Sequence, residues 1–171
     1  DAYFSNPDRF VMVTTNCLTG RAEYFEERKS PERIMDIVRA SSSLPFVTPV
    51  TYVDGIPMLD GGIADSIPVE YAMSQGYEKM VVILTRNKGY RKKDGKMPLA
   101  KALYRKYPML QQALQERNRV YNRTMDLIER LENEGKLTVI RPLSPIQVGR
   151  MEKDTDKLRA LYQEGYETAL G

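Results

Sequence analysis

The sequence predicts an α/β fold with a mainly parallel sheet and extra helices toward its C-terminal end. Three observations point there. Segments of strand character alternate with segments of helical spacing, which is the pattern of strands joined by crossover helices. The run KMVVILT (79–85) has strand length and no polar face, as in a strand covered on both sides of a parallel sheet. From Pro98 onward helical spacing dominates, with one further strand near 136–142. The 171 residues suit one domain, read as 1–97 followed by a helical extension, 98–171, that carries that strand.

Each element has its own signal. RFVMVTTN (9–16) is β-branched and apolar, a buried strand. AEYFE (22–26) reads as a short strand after a turn at Thr19-Gly20. Ser30 caps a helix whose first residue is Pro31. Ile34, Ile37, Val38 and Ser41 share one face of it, and Pro45 stops it near SSSLP. VTYVDGIPML (50–59) reads as a hairpin around Asp54-Gly55. IPVEYAMSQG (67–76) is a short helix that opens at Pro68 and stops at Gly76. Pro108 interrupts the long helical stretch, and Leu110, Leu114, Val120 or Tyr121, Leu127, Ile128 and Leu131 make its buried stripe. Gly135 ends that helix. The closing helix starts at Asp154 or Thr155 and has Leu158, Leu161, Tyr162 and Leu170 on its apolar side.

Composition narrows the chemistry. Hydrophobic residues make up 42% and charged residues 29%, a globular balance and not that of a disordered chain. No apolar run approaches the roughly 18 residues of a membrane span. The first residue is Asp1, not Met, and no signal-peptide pattern opens the chain. A piece of a longer protein is therefore expected. Histidine is absent, so a Ser-His-Asp or Cys-His arrangement cannot be assembled from these residues. Acid–base work falls to a carboxylate, Lys, Tyr or Cys. Cys17 is the sole cysteine; it fits a reducing, cytoplasmic setting and a packing role on a strand.

The net charge of +3 does not argue for nucleic acid as a partner. The charge is uneven, however. Residues 86–106, which open with Arg86 and close with Lys106, hold nine Lys/Arg against one acid, Asp94. Two readings stand: a solvated loop leading into a helix, or contact with an anionic lipid surface at the membrane periphery.

The stretch MLDGGIADSIPV (58–69) is the candidate site. Asp60 before Gly61 and Gly62 is either a plain turn residue or a base left uncovered by small neighbours. Asp54, Asp60 and Asp65 together raise a metal reading, but calcium loops space their acids more closely. No metal or organic cofactor is expected. Ser41, Ser42 and Ser43 lack a glycine-framed turn and read as polar helix-end residues.

The block ASSSLPFVTPVTYVDGIPMLDGGIADSIPVEYA (40–72) resembles the second signature block of the patatin-like phospholipases. FVMVTTNCLTGRAEYF before it and VVILTRNKGYRKK after it are similar to the neighbouring strands of that family. GKLTVIRPLSPIQVGRMEKDTDKLRALYQEGYETAL (135–170) resembles the C-terminal part of bacterial members, so the likeness covers nearly the whole chain. The resemblance implies a three-layer α/β/α fold and a lipid acyl hydrolase with a Ser-Asp dyad. Asp60 takes the position of the aspartate that receives the serine proton, with Gly61 and Gly62 as motif support. Leu44, Pro45 and Phe46 match the acyl-pocket wall, or serve as core.

Two departures stand out. These residues contain no Gly-x-Ser-x-Gly nucleophile motif and no glycine-rich oxyanion run, both of which precede this block in the family. Ser66 replaces the Asn common between the DGG turn and Pro68. The expected protein is thus the Asp-bearing part of an esterase or phospholipase of lipid degradation. Its substrate is a lipid or another ester, its serine lies in a missing N-terminal half, and this chain alone is inactive. The rival reading is a non-catalytic binding or regulatory module, with 98–134 as its partner surface. Strands that lost their neighbours would also favour homo-oligomers.

Overall fold

The computed structural model describes residues 2–93, 95, 98–149 and 152–170. Asp94, Lys96 and Met97 of the basic segment, and Arg150 and Met151 of the C-terminal resemblance, lie outside the described residues. In chain order the elements are α1 (Ala2–Ser5), β1 (Met12–Asn16), β2 (Ala22–Phe25), α2 (Pro31–Ser41), β3 (Thr51–Val53), β4 (Ile56–Asp60), α3 (Val69–Ser74), β5 (Met80–Ile83), α4 (Pro98–Leu103), α5 (Pro108–Asn133), β6 (Leu137–Ile140) and α6 (Thr155–Leu170). A single turn of 3-10 helix, Gly61–Ile63, follows β4. They fall into two compact units, residues 1–68 with 92–124 and residues 69–91 with 125–171.

The first unit is built on a four-stranded sheet in the order β2-β1-β4-β3, antiparallel throughout. The α/β class holds, but the mainly parallel sheet does not: the only parallel pair among the described residues is β5 with β6. The reason is local. β1 and β2 are joined by a tight turn in which the Asn16 side chain accepts from the N–H groups of Leu18 and Thr19. β3 and β4 are joined by Asp54 and Gly55, both left-handed at φ 51° and 77°. That pair of dihedrals twists a two-residue turn to match the strands, and such turns impose antiparallel pairing.

Alternation along β4 divides the core. Met58 packs with Met12, Val53, Ile37 and Ala40, on the side covered by α2. Leu59 turns the other way, toward Cys17, Ile63, Ala100, Tyr104, Leu110 and Leu114, on the side covered by α4 and the start of α5. Helix α2 begins as expected, with the Ser30 hydroxyl accepting from Arg33 N–H and Pro31 in its first turn. Its buried face differs from the expected one: Val38 is exposed and Ala40 is buried beside Ile37. Along α5 the stripe runs through Tyr121 and not Val120, and through Met125, which spacing did not single out; Leu127 is only half-buried.

An ionic clamp ties α2 to the β3–β4 turn. Arg33 donates to Glu27 at 2.6 Å and to both oxygens of Asp54, the closest at 2.7 Å, over the ring of Phe25. Glu27 also accepts from the N–H groups of Lys29 and Ser30. The Arg33 hydrogen bond, then those two backbone donors, hold the Glu27 carboxyl down from an ordinary 4.5 to about 2.

In the second unit β5 pairs with β6, from Met80↔Leu137 to Ile83↔Ile140. The expectation of a covered central strand is overturned. Val81 and Ile83 stand exposed on one face while Val82 is buried on the other, so only one face of β5 is covered. Arg91 is anchored to α5 by Asp126 at 2.7 Å and Glu129 at 2.9 Å. The final helix is capped by Asp154, whose carboxylate accepts from the N–H groups of Asp156 and Lys157. Of its expected apolar side only Leu161 is partly covered; Leu158, Tyr162 and Leu170 are exposed. The helix rests on the face of Leu161, Glu164 and Thr168, which turns the other residues outward. No described helix is long and apolar enough to cross a membrane.

The clamp sets an acid response. A carboxyl depressed on folding stabilises the fold above its unfolded value, near 4.5, and that contribution is lost as pH falls toward about 2. Urea midpoints measured at pH 6, 4 and 3 are expected to fall less steeply for Glu27→Gln than for the native chain.

Candidate active site at the end of β4

Asp60 is the last residue of β4 and the cap of the turn that follows. Its main chain is fixed on both sides. The N–H donates to Ser43 O at 2.9 Å, and the carbonyl accepts from Thr15 Oγ1 at 2.9 Å. The same Thr15 hydroxyl accepts from Ala64 N–H at 3.2 Å. Asp60 Oδ1 accepts from Gly62 N–H at 2.6 Å. Among the described residues Oδ2 accepts no hydrogen bond, and the side chain is half-buried. The result is an oriented carboxylate with one oxygen left for another group.

The glycines explain the motif sterically. A Cβ on Gly61 would stand 2.5 Å from the Val13 carbonyl oxygen and 2.7 Å from its carbon, inside van der Waals contact with the backbone of β1. A Cβ on Gly62 would stand 2.9 Å from Asp60 Oδ1, against the carboxylate itself. Gly61 is therefore what lets the turn lie on β1, and Gly62 is what leaves the acid uncovered.

The three aspartates do not share a site. Asp54 is bound by Arg33, and Asp65 accepts from Tyr24 OH at 2.7 Å. Among the described residues no cluster of acids, cysteines and histidines could hold a metal. Ser66 Oγ donates to Gly62 O at 2.9 Å from an exposed position. Ser43 is buried at the end of α2, its hydroxyl on Arg39 O and on Thr51 Oγ1, both at 2.8 Å. Ser41 and Ser42 end and cap α2.

The segment before β3 is unusual in its backbone. Leu44 and Phe46 are exposed and Pro45 is half-buried. Phe46 holds φ 69°, a region bulky side chains rarely adopt. Its N–H donates to Tyr104 OH at 3.0 Å, and the two rings meet with centroids 5.6 Å apart. Cys17 is fully buried against Leu59 and Ile63, and burial pushes its thiol up to about 12, so it is packing material.

Two contributors carry no reading from the sequence, Thr15 and Tyr104, while Ser43, read there as a polar helix-end residue, also holds the Asp60 N–H through its carbonyl. The signal for Thr15 was present, since two threonines in the buried strand MVTTN need partners. Tyr104 lies 58 positions from Phe46 and carried none.

Comparison with known families meets this geometry. Residues 4–73, which contain the DGG turn, match a family model described as patatin-like phospholipase. This segment is similar to the patatin-like phospholipases. The resemblance carried by the block at 40–72 is thereby borne out. Residues 107–171 match a second model, described only as a domain of unknown function, DUF6363. The chain is also similar to the uncharacterized protein YjjU of Escherichia coli (strain K12), 48% identical over 52 residues. That match spans 30% of this chain and 15% of the relative's length.

The patatin-like turn should be intolerant of change. Gly61→Ala is expected to cost about 3 kcal/mol, since the clash is with main chain that cannot rotate away. Thr15→Val, which keeps the shape but strands a carbonyl and an N–H, is expected to cost about 2 kcal/mol. Chemical denaturation of both variants checks the order and size of the two effects.

Proposed function

We propose that this chain supplies the aspartate half of a serine acyl hydrolase acting on acyl esters of lipids. Asp60 is the base, and the serine comes from outside these 171 residues. The observation that carries the reading is the Asp60 carboxylate. It is oriented by Gly62 N–H through one oxygen, has the other unpaired among the described residues, and is presented by a turn of a patatin-like segment.

The chemistry follows from that arrangement. Asp60 takes the proton from the serine hydroxyl as the serine oxygen attacks the acyl carbonyl carbon. The tetrahedral intermediate collapses, the alcohol part leaves with the proton from Asp60, and an acyl-serine remains. Water then attacks that ester while Asp60 accepts its proton. The fatty acid and the free serine are released, and the carboxylate is restored. The reading needs no metal or cofactor. Leu44, Pro45 and Phe46 are assigned to the acyl-chain side, with Phe46 held by Tyr104. In the first unit the exposed cations Lys93, Arg105 and Lys106 suit anionic head groups, whereas Lys92 already lies 3.9 Å over the Tyr121 ring.

Labelling with a fluorophosphonate probe tests this. The 171-residue chain alone is expected to stay unlabelled. The native full-length protein is expected to label, and its Asp60→Asn form to label and turn over ester roughly 10³-fold more slowly. An equally fast Asp60→Asn form would remove Asp60 from the chemistry. A native protein that never labels would favour a non-catalytic binding module.

A further inference from the structure

The second unit carries a surface that includes no residue of the candidate active site. Helix α6 runs for 16 residues and none of them is buried. Leu158, Tyr162, Tyr166 and Leu170 recur every four positions and are 42%, 71%, 53% and 72% exposed. They line one face, and the helix rests on its unit by another, that of Leu161, Glu164 and Thr168. The Tyr162 and Tyr166 rings lie stacked, with centroids 6.3 Å apart. An amphipathic helix this short draws little stability from itself and needs its apolar face covered.

The charges beside that face say what covers it. Along one flank, again at four-residue spacing, stand Arg159, Gln163 and Glu167. Gln163 Nε2 donates to Glu167 at 2.8 Å, which orders the acidic end of the row. The row is positive at one end, neutral in the middle and negative at the other. Such a row complements its own reverse. Two copies of α6 packed antiparallel set Arg159 of each opposite Glu167 of the other, with Gln163 near the centre. A parallel pair would instead put the two rows on opposite sides of the contact, where Arg159 and Glu167 do not meet.

We propose that α6 is a self-association surface whose occupant is the α6 of a second copy of this chain, packed antiparallel through Leu158, Tyr162, Tyr166 and Leu170. A 16-residue helix is roughly 24 Å long, so the contact is small and the dimer is expected to be of micromolar strength.

Sedimentation equilibrium on the 171-residue chain tests it. The native chain is expected to approach twice its 19.6 kDa as concentration rises. Tyr162→Lys is expected to be monomeric. Arg159→Glu turns two symmetry-related pairs repulsive and is expected to weaken the dimer roughly tenfold. The double variant Arg159→Glu, Glu167→Arg is expected to regain native strength, which only the antiparallel pairing provides. These exposed positions leave folding intact, and an unchanged circular dichroism spectrum verifies that. The proposal is overturned if the native chain stays monomeric up to about 200 μM. It is equally overturned if dimers survive Tyr162→Lys, which would move the contact to another surface such as the bare face of β5, or if the double variant stays as weak as the single one.

Discussion

The candidate site depends on one close approach: the main chain of Gly61 against the carbonyl of Val13. With a side chain at position 61 the turn after β4 would stand off β1. The Thr15 hydroxyl could then not serve both the Asp60 carbonyl and the Ala64 N–H. The steric fact and the polar one are therefore coupled. A missing Cβ brings two backbones together, and the buried hydroxyl that this brings into range fixes Asp60, the residue proposed as the base.

The same hairpin is fixed at both ends. At its tip Asp54 is held by Arg33, which also binds Glu27 ahead of α2. At its foot the Asp60 N–H reaches Ser43, just past the end of α2. Helix α2 thus touches the hairpin near its start and at its end, so the carboxylate is placed by a frame and not by a free loop. Positioning of this kind is what a base needs, because a hydroxyl proton is transferred only within hydrogen-bond reach. The strained Phe46 backbone lies on the same path between α2 and β3, and Tyr104 holds it from the other side of the core.

Much of this was legible in the sequence, and the exceptions have physical causes. Helix starts at Ser30-Pro31, the turn pair Asp54-Gly55 and the break at Pro108 depend on a few adjacent residues, and the structure has them where spacing put them. The DGG turn was legible as well, but not its reason, since the clash that demands glycine comes from a strand more than forty positions away. Sheet direction is legible for one pair only: the apolar run of β5 does pair parallel, with β6, whereas β1 to β4 follow their tight turns and pair antiparallel. Burial was misread where it depends on neighbours: β5 and α6 have apolar residues at the right spacing, yet pairing and packing leave Val81, Ile83 and Tyr162 in solvent.

The buried thiol of Cys17 gives the first unit a built-in clock. It sits at the junction of β1 with the core around Leu59 and Ile63, and burial holds it in its unreactive protonated form. A thiol reagent in solution can modify it only when that core opens, so the modification rate counts openings of the frame that holds Asp60. Because the chain has no second cysteine, the count needs no correction. Substrate, lipid surface or partner chain can each be asked, by that one rate, whether it tightens or loosens the fold around the acid.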